Sequence, residues 1–171
     1  MQTFEATMDK NIKMITYLVM ALVAVSLLPI LFIDELAWWM KLLIVGGLIG
    51  SLWVAYLFRP KGYRITEDSL LIERGVGAVR IAIKNIVSAK AVTSADLGFG
   101  IRVFGVGGFF GNYGKYNYKK IGAVTAYVTN TSKTILVSTQ ENKHYLISPE
   151  DGLGFLQTLN QSANYHPHLT V

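Results

Sequence analysis

Two apolar runs open the chain, separated by only two acidic residues. Ile15–Ile33 carries no charge over 19 residues; Asp34 and Glu35 follow; Leu36–Phe58 then carries one charge, Lys41, over 23 residues. A helix of about 18 or more apolar residues is long enough to cross the roughly 30 Å hydrocarbon layer of a bilayer. Neither run has the polar face of a globular surface helix, so the pair reads as a transmembrane hairpin rather than as two core helices. The first run is too long for a signal-peptide core, lacks a small-residue cleavage site and is followed at once by another run. Two starts are open for the second helix: near Leu36, or at Leu42 with Asp34–Lys41 as an outer loop. Pro29 predicts a kink near the end of the first helix.

Beyond Phe58 the period changes from helical to alternating. Arg59-Pro60-Lys61-Gly62 reads as a linker (59–62), because proline cannot continue the helix. Tyr63–Thr66 and Leu70–Arg74 read as strands around the turn Glu67-Asp68-Ser69. Val79, Ile81 and Ile83 alternate with Arg80, Ala82 and Lys84, the pattern of a half-buried strand, joined to the preceding one by Gly75-Val76-Gly77. Val87–Val92, Gly122–Thr129, Thr134–Thr139 and Tyr145–Ile147 complete a set of seven. A closing helix follows, with Ser148 as cap, Pro149 at its first position, Glu150 and Asp151 at the positive end of its dipole, and Leu153, Phe155, Leu156 and Leu159 as its apolar face. The predicted domains are an N-terminal segment 1–14, the hairpin 15–58 (15–33 and 36–58), the linker, a β domain 63–160 with its helix, and a tail 161–171.

Leu97–Ile121 fits neither period. Seven glycines are interleaved with Phe99, Phe104, Phe109, Phe110, Tyr113, Tyr116 and Tyr118. Glycine permits bulges, positive φ and close backbone approach, and so many aromatics do not suit a flexible linker. The segment reads as an irregular core edge, a hairpin against the membrane interface, a subunit contact or a ligand site. Lys115, Lys119 and Lys120, beside Tyr116 and Tyr118, form a candidate lipid or interface contact.

Charge sets the orientation. Lys10 and Lys13 precede the first helix, and Arg59, Lys61 and Arg64 follow the second, whereas Lys41 is the only basic residue between them. The positive-inside bias then places both termini and the β domain in the cytoplasm, at the inner face of the membrane. Trp38 and Trp39 suit the outer interface. Gly46, Gly47, Gly50 and Ser51, with Ala55, form a stripe of small residues for helix packing, within the hairpin or between subunits. No Asp, Glu, His or Arg lies in mid-membrane, which argues against a pump or transporter core. From Arg59 onward 13 Lys and Arg face 7 Asp and Glu. A basic domain at an inner leaflet is drawn to anionic head groups. The cations are scattered, without a basic helix or recognition motif, so nucleic acid is not an expected partner. The absence of cysteine excludes disulfides and thiolate chemistry.

Four stretches, taken in order, resemble the bacterial PH-domain family: Val79–Ile86, Leu97–Gly111 with its repeated Gly and Phe, Gly122–Tyr127, and Tyr145-Leu146-Ile147-Ser148-Pro149-Glu150-Asp151. The resemblance covers about residues 60–160. It implies a pleckstrin-homology-like bent sheet of seven strands and a C-terminal helix. The expected fold class is thus a membrane-anchored α+β chain, with a transmembrane hairpin before a bent antiparallel sheet or barrel closed by a helix. The resemblance implies no phosphoinositide site here, because the first turn, Thr66-Glu67-Asp68-Ser69, is acidic where eukaryotic PH domains cluster Lys and Arg.

No catalytic pattern stands out. Gly114-Lys115 lacks the first glycine and the Ser or Thr of a P-loop, and there is no H-E-x-x-H. His166 and His168 read as a polar tail, and His144 as a solvated turn residue. The expectation is a non-catalytic module, without cofactor or metal, that binds a protein partner or assembles with itself. The competing expectations are a peripheral anionic-lipid sensor and an accessory subunit of a transporter or envelope-stress system.

Overall fold

The computed structural model describes residues 1–164. Ten strands and four helices follow in the order β1 (Gln2–Glu5), α1 (Lys10–Leu31), α2 (Trp38–Phe58), β2 (Pro60–Ile65), β3 (Ser69–Arg74), β4 (Ala78–Ala82), β5 (Ile86–Val92), α3 (Ser94–Leu97), β6 (Gly100–Val106), β7 (Asn112–Tyr118), β8 (Gly122–Val128), β9 (Thr134–Thr139), β10 (His144–Ile147) and α4 (Gly152–Asn164). A single 3-10 turn, Ile83–Asn85, lies between β4 and β5. His166 and His168 lie outside the described residues, as does the tail beyond Asn164.

Both α1 and α2 are long and apolar enough to cross a membrane. The reading as core helices fails on exposure: α2 buries none of its residues. Helix α1 starts at Lys10, five residues before its apolar run, because Asp9 caps it and accepts from the Ile12 amide at 2.7 Å. Helix α2 starts at Trp38, not Leu42, so the connection between the two is short.

The strands form two open sheets rather than a closed barrel. One has the order β1-β2-β3-β4, the other β5-β9-β10-β8-β7-β6. The chain passes from one to the other at the 3-10 turn. The second sheet is mixed, since β8 and β10 run parallel and β9 flanks β10 on its far side. The expectation of a purely antiparallel sheet of seven strands is corrected on both counts.

The unforeseen first strand changes the architecture. β1 pairs antiparallel with β2, Glu5 opposite Gly62, and the Ala6 amide donates to the Lys61 carbonyl at 3.2 Å. Residues 1–14 are therefore not a free segment, and Pro60-Lys61-Gly62 is strand rather than linker. The two long helices are an insertion between two paired strands of one sheet.

The main core lies between the sheets and is plugged by α4. Phe4, Tyr63, Leu70, Ile72, Ile83, Ile135, Val137, Ile147, Phe155 and Leu159 are buried there. Phe155 packs edge-on to Phe4 and Tyr63, with ring centroids 5.3 and 6.4 Å apart. Leu153, expected on this face, is exposed, because α4 starts at Gly152 and turns it outward. Asp151, not Ser148, caps α4, accepting from the Gly154 amide at 2.9 Å. Ser148 is buried instead. Its Oγ accepts from the Thr129 and Asn130 amides at 2.8 and 3.1 Å, and its own amide donates to the Tyr63 hydroxyl at 3.0 Å. That hydroxyl donates in turn to the Tyr127 carbonyl at 2.6 Å. A second cluster, including Val92, Leu97, Val124, Leu136 and Leu146, fills the other face of the six-stranded sheet.

Candidate functional site

Leu97–Ile121 resolves into α3 and the β6–β7 hairpin, whose tip reaches the two long helices. α3 is set by a capping box in which Thr93 and Asp96 bond each other's backbone. At the centre of the hairpin Gly105 faces Gly114. Both have positive φ, +115° and +124°, and a Cβ on either would collide with the opposite backbone. The glycines allow two strands to cross more closely than any side chain would permit.

The tip is anchored. The Phe110 amide donates to Thr16 Oγ1 on α1 at 2.9 Å. The Phe110 ring meets Tyr56 of α2 edge-on, centroids 5.3 Å apart, and the Tyr113 hydroxyl donates to the Ala55 carbonyl. Burial beside α2 pushes the Tyr113 phenol up to about 12, against the opposing pull of Arg59. The base of α2 is fixed from the other sheet as well: the Val76 amide, in the β3–β4 turn, donates to the Leu57 carbonyl at 3.1 Å. Asp9 joins α1 to the β8–β9 turn, accepting from the Thr131 amide and hydroxyl at 2.9 and 2.8 Å. Partial burial raises its pKa, but the bonds from Ile12, Thr131 and Asn11 outweigh that, so it is lowered. Helices and sheets are thus bonded at several separate points.

Two openings flank this junction. A groove of about 500 Å³ lies between α2 and the hairpin, lined by Ser51, Val54, Phe58, Phe104, Val106 and Arg74, among others. A separate cleft of similar size lies where α1 begins and α2 ends, lined by Thr7, Lys13, Tyr56, Arg59, Lys61 and Thr129, among others. Arg59 lies over the Tyr56 ring at 4.4 Å.

The six-stranded sheet has two edge strands, β5 and β6, and β6 is the more apolar and exposed of the two. It carries Ile101, Val103 and Phe104 well exposed, and Phe99 just before it is 75% exposed. Such a row of unpaired backbone and apolar side chains is a template for another strand. A bulge between Arg102 and Phe104 interrupts it.

The residues singled out from sequence separate in space. Tyr116 is buried in the second cluster and donates its hydroxyl to the Val106 carbonyl at 2.8 Å; Tyr118 stacks on it at 6.2 Å and is half-buried. Lys115 is exposed in mid-strand. Lys119 and Lys120 lie in the turn after β7, about 23 Å of strand from the anchored tip. Lys120 donates to the Ala95 carbonyl at 2.7 Å and covers Gly98. These five residues do not form one surface. Gly46, Gly47 and Gly50 face open space: a Cβ on any of them would meet nothing within 4 Å. Ser51 donates to the Leu48 carbonyl at 2.7 Å and lines the groove. His144 opens β10 rather than sitting in a turn, with Nδ1 2.9 Å from Ser138 Oγ. No group of three or more metal-ligating side chains occurs among the described residues. Phe99, Ile101 and Val103 were not separable in sequence from the buried Phe109, since glycines break the alternation that would sort them.

The family model for the bacterial PH domain matches residues 61–163. Comparison with curated proteins and with solved structures finds no match. The matched stretch runs from β2 into α4 and leaves β1, α1 and α2 outside it. With its two sheets, terminal helix and matched span, the chain belongs to the bacterial PH domain family.

Proposed function

We propose that the chain is a non-catalytic, membrane-anchored PH-like module that assembles through its β6 edge with a second copy of itself at the cytoplasmic face. The open apolar edge of β6 carries this reading. An antiparallel pairing of β6 with its own copy about a twofold axis would satisfy the same row of N–H and C=O groups on both chains. Arg102 is the one charge in the strand, and the bulge beside it is the one other device against edge pairing. Anchoring rests on α1 and α2, whose apolar side chains are largely exposed. The pairing of β1 with β2 supports both ends of the hairpin sharing one side, and Lys10, Lys13, Arg59 and Lys61 favour the cytoplasm as that side.

The test is disulfide trapping in native membranes, with one cysteine placed at Ile101 or at Val103 in this cysteine-free chain. Homodimer is expected to accumulate under mild oxidation, and Phe99→Glu in the same background should suppress it. A chain that stays monomeric, or that traps only a different protein, overturns self-assembly.

A further inference from the structure

We propose that the cleft between the start of α1 and the end of α2 binds the phosphate of an anionic phospholipid headgroup. Three cations from separate elements converge there: Lys13 from α1, Arg59 after α2 and Lys61 from β2. None of the three makes an ion pair among the described residues. Three other cations of the domain are paired, Arg64 with Glu73, Lys133 with Glu150 and Lys143 with Glu141; what sets Lys13, Arg59 and Lys61 apart from the other unpaired ones is that they share one cleft. Among the described residues, the one carboxylate bonded to a residue of the cleft is Glu150, on Thr7, and Lys133 already balances it at 2.6 Å.

Arg59 makes the cleft more than a patch of surface lysines. Its Nε is shielded from solvent without a hydrogen-bond partner among the described residues, a state shared with Arg64 and Arg74, so its stacking against two rings is what distinguishes it. Its guanidinium stacks on Tyr56 and lies within 6.0 Å of the Phe110 ring. Stacking holds the plane while leaving its in-plane N–H groups for an oxyanion, the geometry in which Arg recognises phosphate. Position selects the source. The cleft lies at the open end of the helical hairpin, where headgroups sit if α1 and α2 span the bilayer, and basic pockets between such helices hold anionic headgroups. The inference rests on that membrane placement and not on pairing at β6.

The test uses the full-length chain in a neutral detergent, read by native mass spectrometry and thermal unfolding. The probes are phosphatidylglycerol, phosphatidylcholine and inorganic phosphate. Phosphatidylglycerol is expected to remain bound to the monomer and raise its unfolding midpoint, whereas phosphatidylcholine is not. Arg59→Gln with Lys61→Gln should weaken phosphatidylglycerol binding on the order of thirtyfold. Lys119→Gln with Lys120→Gln, which removes the same charge elsewhere, should leave it unchanged, and Arg59→Lys should restore part of it. If the Arg59 and Lys61 variant does not fold without lipid, Lys13→Gln alone must still weaken binding. Equal retention of the two lipids, or equal loss in both double variants, overturns the site. Protection by inorganic phosphate matching that by phosphatidylglycerol overturns the lipid as its source. Because the readout is the monomer, a failure here is distinct from a failure of self-assembly.

Discussion

Tyr63→Phe removes one oxygen from the centre of the domain and should be among its costliest conservative changes. The Tyr63 side chain is fully buried. Its hydroxyl donates to the Tyr127 carbonyl at 2.6 Å and accepts from the Ser148 amide at 3.0 Å. Phenylalanine fills the same space, so the packing against Phe155 survives while both backbone groups lose their partner. A buried unsatisfied group costs about 1–3 kcal/mol, and two of them with partial relaxation give about 2–4 kcal/mol. At about 4 °C for each kcal/mol in a domain of this size, the midpoint falls by roughly 8–16 °C. The assay is unfolding of the full chain in detergent, followed by tyrosine near-ultraviolet dichroism. Ser148→Ala in a double-mutant cycle with Tyr63→Phe should be non-additive by more than about 0.5 kcal/mol, because the two residues share one network. There is also a pH signature. Burial, against the opposing bonds from Ser148, raises the Tyr63 pKa from 10.0 to about 12. A raised phenol keeps its proton in the folded state after the unfolded chain has lost it. Its stabilising contribution is therefore complete below pH 10 and is lost as pH rises towards about 12. A loss under about 0.5 kcal/mol for Tyr63→Phe, within the range of ordinary surface changes, would refute the hydrogen-bond reasoning.

Four further expectations follow from the same geometry. Asp9→Ala should destabilise the α1 junction by about 1 kcal/mol through loss of the cap, with faster amide exchange at Thr131; since the Asp9 pKa is lowered, its contribution is present above 3.8 and disappears as pH falls through the lower folded value. Gly105→Ala forces a Cβ against Tyr113 and Gly114 at φ +115° and should cost about 1–3 kcal/mol, read as faster exchange confined to β6 and β7. Gly50→Leu should leave the monomer's unfolding midpoint unchanged, because a Cβ there meets nothing within 4 Å; a clear fall would mean that α2 packs differently. A reporter fused after Val171 should show cytoplasmic activity, and periplasmic activity would reverse the topology.

Local pattern revealed most of the elements and few of their partners. Hydropathy located both long helices, and alternation located β3, β4, β8, β9 and β10 to within a residue or two. β1 escaped notice because four residues, with Phe4 alone buried, carry too little period to detect. The parallel pairing of β8 with β10 is a long-range choice that neither strand encodes by itself. The roles of Ser148 and Asp151 were exchanged because both are good capping residues and only tertiary contacts decide which is buried. At the candidate site, the flanking cations Lys13, Arg59 and Lys61 were legible as orientation signals. Their meeting in one cleft depends on β1 pairing with β2, which brings residues almost fifty apart together. The lysines beside Tyr116 and Tyr118 were close in sequence, yet an extended strand sends such neighbours to both faces and up to about 17 Å apart.

The insertion of α1 and α2 between β1 and β2 has a consequence for biosynthesis. β1 leaves the ribosome first, but its partner begins only at Pro60. At about 5–20 residues per second, the first strand waits roughly 3–11 s for the second. If α1 and α2 span a membrane as proposed, both helices must be placed during that interval so that β1 and β2 end on the same side. A chain in which one helix fails to insert would hold Phe4 and Tyr63 on opposite sides of the bilayer. Its four-stranded sheet could not close, and Phe155 would lose the aromatic partners against which α4 docks. On the proposed membrane placement, completion of the four-stranded sheet would thus depend on correct insertion of both helices, and misinserted chains would present an unfinished sheet to proteases.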